Sequence, residues 1–116
     1  MSMVDVTVKP EVYREATAKG YIKLRTETVR LIREGKVEKG DPLYTAKIAG
    51  VLAAKNTPLI IPLCHPIPLT NVNVEVKIIS DDTVEVESTV KTRAQTGVEM
   101  EALMATAIAL LTVWDM

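Results

Sequence analysis

Two runs of alternating residues, joined by a short polar segment, constrain the fold of this chain more than any other feature. In residues 72–78 valine or isoleucine falls on every second position, in residues 84–91 valine does so except at Ser88, and Ser80-Asp81-Asp82 lies between the runs. Because successive side chains of a strand point to opposite faces, each run would gather its apolar side chains on one face. The pattern predicts a β-hairpin with one buried and one solvated face.

The residues before the hairpin predict one more strand and a short helix. Residues 14–25 alternate with period two, which favours a strand, although the alanines among them leave a helix open. Residues 26–34 predict a helix, with Gly35 after it as C-cap. The alternating residues 4–9 predict a short extended arm that stops at Pro10.

Two longer helices are predicted, one before and one after the hairpin. Asp41-Pro42 joins a preferred N-cap to a preferred first helical residue, and this helix should run to about Lys55 and end at Asn56-Thr57-Pro58. A stripe of small side chains on it would let another element pack very close: Ala46, Ala49, Gly50, Ala53 and Ala54. Thr96-Gly97-Val98-Glu99 has capping-box spacing and opens a helix that runs through Trp114.

The last helix is apolar on nearly every side, and such a helix has to be covered all round. One small domain does not supply that cover, so we expect subunit contacts there. The order strand, helix, helix, hairpin, helix predicts an α+β fold with helices on one face of an antiparallel sheet. A length of 116 residues predicts one domain, residues 1–116.

Composition and charge exclude several classes of protein. Apolar residues make up 47% and charged residues 25% of the chain, as in ordinary soluble globular proteins. The net charge of −1 argues against a nucleic-acid binder, whose domain would be basic. The longest apolar stretch, residues 102–114, is shorter than the ~20 residues that span a membrane. Residues 1–9 lack the apolar core of a signal peptide and a single cysteine requires no oxidising compartment, so we expect a cytoplasmic protein.

The segment Pro62-Leu63-Cys64-His65-Pro66 holds the only cysteine and the only histidine of the chain. Its prolines predict a rigid, non-helical loop, the kind of segment that often carries catalytic groups. Two interpretations are open: a buried thiol beside a hydrogen-bonded loop histidine, or an imidazole that contacts substrate or transfers protons. One cysteine and one histidine do not complete a zinc site within one subunit, which leaves only a metal shared at an interface.

Charged residues at helix starts are further candidates. Lys39 precedes Gly40-Asp41 where a helix begins. An anion such as phosphate is favoured there, although spacing alone favours the other interpretation, a solvated lysine before a helix cap. Glu99 and Glu101 suit the first turn of the last helix, and the apolar residues around them would place at least one carboxylate in a dry environment that raises its pKa.

Asp115 follows the apolar helix directly, where an acid is unfavourable with the dipole of a helix that ends nearby. It lies 14 positions after Glu101. That separation is about 21 Å along a helix, so the two carboxylates cannot share a small site within one chain. A site that uses both would join two subunits.

These segments together resemble the cyclic pyranopterin monophosphate synthase family, MoaC, over nearly the whole chain. The proline–cysteine–histidine loop and the motif Gly97-Val98-Glu99-Met100-Glu101, in this order, are highly specific to that family. The other matching segments are Met3-Val4-Asp5-Val6, Lys39-Gly40-Asp41, Ile48-Ala49-Gly50 and Trp114-Asp115-Met116.

The resemblance implies a ferredoxin-like fold, a homohexamer built as a trimer of dimers, and a role in molybdenum cofactor biosynthesis. The implied lyase reaction converts a cyclised dihydro-GTP to cyclic pyranopterin monophosphate with release of pyrophosphate, and implies no metal or organic cofactor. Matched by motif, the catalytic residues fall on Lys39, His65, Glu99, Glu101 and Asp115. The residues lining the substrate site fall on Leu63, Cys64, His65, Met100 and Glu101. The family pattern also continues with more helix, a catalytic lysine about one turn after the aspartate, and a final strand, which residues 1–116 are expected to lack.

The resulting hypothesis is an enzyme that works by general acid–base catalysis at a subunit interface. Asp115 is the favoured acid–base group, and Lys39 would bind or polarise phosphate. The alternative from another class is a non-catalytic oligomeric ferredoxin-like binding module, which fold alone does not distinguish from an enzyme. Lys39, His65 and Glu101 gathered around one pocket would favour the enzyme, because a scaffold has no need of them there.

Overall fold

The computed structural model describes all of residues 1–116. Six elements follow in order: β1 (Val12–Lys23), α1 (Thr26–Arg33), α2 (Pro42–Ile60), β2 (Leu69–Ile78), β3 (Thr83–Ala94) and α3 (Glu99–Asp115). The strands form one antiparallel sheet in the order β1-β3-β2. The predicted α+β class is confirmed. The ferredoxin-like arrangement fits only roughly, because that pattern has four strands and this sheet has three.

Strand β3 lies at the centre of the sheet and carries much of the core. Val84, Val86 and Val90 are fully buried on its inner face. The opposite face carries a cross-strand ion pair between Lys19 on β1 and Glu87 on β3, with N and O atoms 3.1 Å apart. The predicted hairpin with one buried and one solvated face is therefore confirmed, and β1 is a strand rather than the helix that its alanines left open.

The small side chains of α2 allow close packing against α3 and β2. A Cβ atom added to Gly50 would lie 3.0 Å from the carbonyl oxygen of Ala105 on α3 and 3.0 Å from Cγ1 of Val74 on β2. Ala46 and Ala54 of the same helix are also fully buried. The close approach predicted from the small-residue stripe is present, and α3 and β2 are the elements that make it.

The predicted end of α2 is wrong. The helix passes through Pro58 and continues to Ile60, rather than ending near Lys55. Pro58 has no N–H to donate to the carbonyl of Ala54, but only two helical residues follow it, so the distortion affects little of the helix. The last turn of α2 is closed by the N–H of Ile61, which donates to the carbonyl of Thr57 at 2.9 Å.

The predicted start of α3 is also wrong. Its N-cap is Val98 rather than Thr96, and no side chain caps the helix. Val98 is only 1% exposed and belongs to the core, so the helix begins where the chain enters the core rather than at a polar cap. Thr96 and Glu99 consequently do not form the reciprocal pair of a capping box, and Glu99 occupies the first helical position.

Large apolar side chains remain exposed along α2 and α3. Leu52 is 54% exposed on α2, and on α3 the exposure reaches 60% for Leu111 and 68% for Trp114. One copy of the chain thus leaves part of α3 uncovered, and its cover by other subunits stays a prediction. None of the helices combines the length and the hydropathy needed to cross a bilayer.

Residues 1–9, called the arm below, lie outside the sheet. The arm turns at Asp5, whose carboxylate accepts hydrogen bonds from the N–H of Thr7 at 2.9 Å and from its hydroxyl group. These hydrogen bonds lower the pKa of Asp5. The N–H of Lys9 donates to the carbonyl of Val6 at 3.0 Å. The predicted arm is therefore present, but it is turned rather than extended throughout.

Candidate active site

Two segments far apart in the sequence form the walls of a small cavity with a volume of about 200 Å³. The loop after α2 contributes Leu63, Cys64, His65 and Ile67, and the segment around the start of α3 contributes Thr96, Gly97, Glu99, Met100 and Glu101. All the predicted site residues except Lys39 and Asp115 lie here. The cavity therefore joins the two motifs that the sequence separates.

The loop is held at both ends by hydrogen bonds that suit its prolines. At its start the N–H of Cys64 donates to the carbonyl of Ile61 at 3.2 Å, which makes a tight turn after α2. At its end the carbonyl of Pro68 accepts a hydrogen bond from the hydroxyl of Thr92 on β3. Because prolines also restrict the backbone between these points, the loop presents its side chains from a rigid support.

Glu101 is the buried acid of the cavity, with 2% of its surface exposed. Burial raises the pKa of Glu101 above its ordinary value of 4.5. Hydrogen bonds from the Glu101 backbone and from Cys64 oppose the shift, and the negative charge of Glu99 adds to it. Of the two acids at the helix start, Glu101 is thus the one in a dry environment, where a carboxyl group can retain a proton.

The thiol of Cys64 lies between the loop and the helix start. Its Sγ atom is 3.6 Å from Oε2 of Glu101 and 3.7 Å from the carbonyl oxygen of His65. Burial, and then the charge of Glu101, raises the pKa of Cys64. A raised pKa makes a thiol a poorer nucleophile at neutral pH, and in this geometry Cys64 is a hydrogen-bond donor to Glu101.

The imidazole of His65 lies between this cavity and the arm. Its Nε2 atom is 2.6 Å from the carbonyl oxygen of Val4. On that side His65 and Gln95 line a second, more open cavity of about 400 Å³ together with arm residues 3–7. Of the two interpretations open for the loop, the hydrogen-bonded histidine is present, and the same ring also borders the acidic cavity.

Glycine at position 97 makes room for the carboxylate of Glu99. A Cβ atom added to Gly97 would lie 2.7 Å from Cδ of Glu99, so the carboxylate would have to move. The side chain of Glu99 therefore folds back over the glycine while staying exposed to solvent. The acidic motif thus supplies two different carboxylates, one dry and one solvated.

Lys39 and Asp115 form a separate group. The Nζ atom of Lys39 donates to the carbonyl oxygen of Asp115 at 3.0 Å and to its Oδ2 atom at 3.3 Å. Both side chains are exposed, with 58% and 74% of their surfaces accessible, so this ion pair stabilises the fold by only about 0–1 kcal/mol. Nearby, the carboxylate of Asp41 caps α2 through the N–H groups of Leu43 and Tyr44, as the sequence predicts.

The length of α3 separates the two groups within one chain. Glu101 lies in the first turn of α3 and Asp115 is its last residue, so about 21 Å of helix lies between them. The structure does not bring Lys39 and Asp115 to His65 and Glu101. No three side chains of histidine, cysteine, aspartate or glutamate converge as the ligands of a metal ion would.

Some contributors to the cavity are absent from the sequence prediction. Ile67 and Thr96 line it, although both have side chains without strong acid–base chemistry. In the sequence, only their positions next to the two motifs indicate that Ile67 and Thr96 could line the same cavity. The carbonyl of Val4 contacts the imidazole from 61 positions away, and no residue type signals a backbone contact of that kind.

Comparison with known proteins assigns the family. Residues 3–116 match the MoaC family. A protein of Aeropyrum pernix named "Probable cyclic pyranopterin monophosphate synthase" is 59% identical over 114 residues, which cover 98% of this chain and 77% of that protein. One of Sulfurisphaera tokodaii with the same name is 58% identical over 114 residues, covering 98% of this chain and 75% of that protein. One of Thermomicrobium roseum named "Cyclic pyranopterin monophosphate synthase" is 56% identical over 115 residues, covering 98% and 69%.

These relatives are enzymes by their names, and the similarity extends over nearly the whole of this chain. Both specific motifs, the proline–cysteine–histidine loop and the glycine–glutamate–methionine–glutamate segment, lie within the matched residues and line one cavity. The resemblance and the enzymatic nature inferred from the sequence are both confirmed, and the chain belongs to the MoaC family of enzymes.

Proposed function

We propose that the chain acts in molybdenum cofactor biosynthesis and converts a cyclised dihydro-GTP to cyclic pyranopterin monophosphate with release of pyrophosphate. The names of its relatives support the product, cyclic pyranopterin monophosphate. The observation that carries the proposal is a buried carboxyl group, Glu101, that shares a small cavity with the only imidazole of the chain, His65. An acid and a base in different environments are what proton transfer on a ring system needs.

In this proposal the cavity residues take separate roles in proton transfer. Glu101 acts as the general acid, because burial favours its protonated form. His65 acts as the base, and Cys64 donates to the carboxyl group of Glu101 and holds its orientation. Glu99, solvated at the rim, orients the substrate. Each group that transfers a proton typically contributes ~10²–10⁴-fold to the rate, and no metal or organic cofactor is required.

The size of the cavity supports a site that extends beyond one copy of the chain. A volume of about 200 Å³ is below the roughly 300–1,000 Å³ of pockets that enclose small molecules. A purine nucleotide with three phosphates would therefore protrude from it. A second copy could supply the remaining wall and bring Lys39 to the phosphates and Asp115 to the reacting ring.

Exposed apolar surface close to Asp115 supports the same arrangement. Leu111 and Trp114 lie on the last turns of α3 and are mostly exposed in one copy. Burial of such side chains against another subunit would stabilise an oligomer by about 25 cal/mol for each Å² of apolar surface. We therefore propose a homo-oligomer, a hexamer built from dimers as in the family that the sequence resembles.

The test is product formation from the cyclised nucleotide by Glu101→Gln, compared with wild type and with Glu27→Gln. Glutamine keeps the shape of the side chain but has no acidic proton, so we expect kcat to fall by about 10²-fold or more. Glu27 lies on α1, outside the cavity, and its variant is expected to keep wild-type activity. Full activity of Glu101→Gln would contradict the proposed acid.

The same assay separates the enzyme from the alternative binding module. A binding module would bind a guanine nucleotide without turnover, and the wild-type protein would then show saturable binding with no product. Detectable product from wild type, lost in Glu101→Gln and retained in Glu27→Gln, is the result that the proposed function predicts.

A further inference from the structure

We infer that the arm is a positioning segment: the backbone carbonyl of Val4 holds His65 in the tautomer that carries its proton on Nε2, which leaves Nδ1 as the ring nitrogen that accepts a proton. The role of His65 as a base rests on the proposed function. The tautomer itself follows from a hydrogen bond, so it can be tested independently of the proposed function.

The geometry of the contact determines which ring nitrogen carries the proton. The Nε2 atom of His65 and the carbonyl oxygen of Val4 are 2.6 Å apart. A carbonyl oxygen has no proton and only accepts, whereas a neutral imidazole has one donor nitrogen and one acceptor nitrogen. Two lone pairs facing each other at this distance would repel, so Nε2 has to be the donor. The acceptor nitrogen is then Nδ1.

The arm makes this contact without much other attachment to the molecule. The contact is the one hydrogen bond between residues 1–9 and the rest of the chain. Val4 is 73% exposed and Val8 is 94% exposed, and of the apolar residues of the arm only Val6 is partly buried, so apolar burial holds the arm weakly. The turn at Asp5, closed by Thr7, sets the path of the backbone next to Val4.

A fixed tautomer would serve proton transfer in two ways. Before the transfer, the lone pair always lies on the same nitrogen, so no rotation or proton exchange of the ring is needed. After the transfer, the imidazolium ion of His65 donates from both nitrogens, and its Nε2–H still has the carbonyl of Val4 as partner. The carbonyl therefore accepts a hydrogen bond from the ring in both protonation states.

The tautomer can be measured directly because His65 is the only histidine of the chain. Long-range ¹H–¹⁵N correlation spectra of the full chain with labelled histidine report which nitrogen is protonated. We expect the neutral ring to be in the Nε2–H form, with a ring N–H proton that exchanges slowly enough with water to be observed. Predominance of the Nδ1–H form would overturn the inference.

Removal of the arm tests whether the contact with Val4 is what fixes the tautomer of His65. A variant that lacks residues 2–8 is expected to lose the observable ring N–H signal through fast exchange and to gain a fraction of the Nδ1–H form. Val8→Ala, at an exposed position of the same arm, is expected to give the wild-type spectrum. An unchanged Nε2–H signal after removal of the arm would show that something other than Val4 holds the proton there.

Activity distinguishes this inference from the proposed function. We expect removal of residues 2–8 to lower kcat by about tenfold or more, because a misplaced base loses orientation, while Val8→Ala keeps wild-type activity. If the wild-type chain forms no product but shows the Nε2–H tautomer, the proposed function fails and the tautomer stands. If it forms product with the Nδ1–H tautomer, only the inference about the arm fails.

Discussion

A single buried carboxyl group, Glu101, gives the cavity its chemical character. The resemblance to a family, rather than residue types alone, predicts most of the side chains that line the cavity, and it does not include Ile67 and Thr96. It is not enough to predict the contacts among them, because Cys64 and Glu101 are 37 positions apart and Val4 and His65 are 61 positions apart. Which of these distant residues come into contact is determined by the fold. The sequence likewise leaves open which of the two acids is dry.

The buried carboxyl group should make stability depend on pH. Burial raises the pKa of Glu101 above 4.5, so the folded state binds the proton more tightly than the unfolded state. The folded state is therefore favoured while Glu101 is protonated. This contribution to the free energy of unfolding is complete below about pH 4.5 and is lost as pH rises through the pKa of the folded state. Glu101→Gln cannot ionise and does not lose this contribution. Between pH 4 and pH 8, the free energy of unfolding of wild type should therefore fall relative to that of the variant, by about 1.4 kcal/mol for each unit by which the pKa of Glu101 is raised.

Urea unfolding at several pH values measures this difference, with Glu27→Gln as the matched control on exposed surface. The control should keep the wild-type dependence on pH. Parallel pH dependences of Glu101→Gln and wild type would mean that Glu101 ionises as easily in the folded chain as in the unfolded one.

The Cys64 thiol should tune the acid beside it. Its hydrogen bond lowers the pKa of Glu101 and so opposes the effect of burial. Loss of the donor in Cys64→Ala should raise that pKa, and the alkaline limb of the kcat profile should move to higher pH, because the general acid stays protonated longer. Cys64→Ser keeps a donor and should keep the limb close to wild type. Coincident profiles for Cys64→Ala and wild type would contradict the coupling.

At the scale of elements, periodicity predicts strands and helices well and helix ends poorly. The alternation in β1, β2 and β3 is visible because one face of each strand is buried and the other is solvated. The ends depend on neighbours in space: α2 tolerates Pro58 in its last turn, and α3 begins where Val98 is buried. Local residue preferences do not contain that information.

The close packing of α2 predicts the effect of one methyl group. Alanine is favoured over glycine by about 1 kcal/mol within an exposed helix, so Gly50→Ala would stabilise the chain if space allowed. The added Cβ atom would instead lie 3.0 Å from the backbone oxygen of Ala105. We expect a net loss of about 1–3 kcal/mol in the free energy of unfolding, measured with urea. An increase in stability would show that α2 and α3 are not in close contact.

At the scale of the whole molecule, one copy of the chain is elongated and incompletely covered. Its radius of gyration is 16.0 Å, whereas a compact chain of this length has about 13 Å. Only 22 of the 116 residues are buried, and the apolar ends of α3 are among those exposed. From the sequence, the all-round apolar helix predicts that α3 is incompletely covered in one copy, and the spacing of Glu101 and Asp115 predicts a site that two subunits share. Neither feature predicts the elongated shape. The sequence does not determine which surfaces of two copies meet.

The central claim is that one active site takes Glu101 from one copy and Asp115 from another. The direct measurement mixes Glu101→Gln and Asp115→Asn protomers, each inactive alone, by joint refolding of differently tagged chains. Random assembly leaves about a quarter of the sites with both native residues, so the purified mixed oligomer should recover about a quarter of wild-type kcat. A mixed oligomer that is no more active than its two parents would show that the two groups do not meet in a shared site.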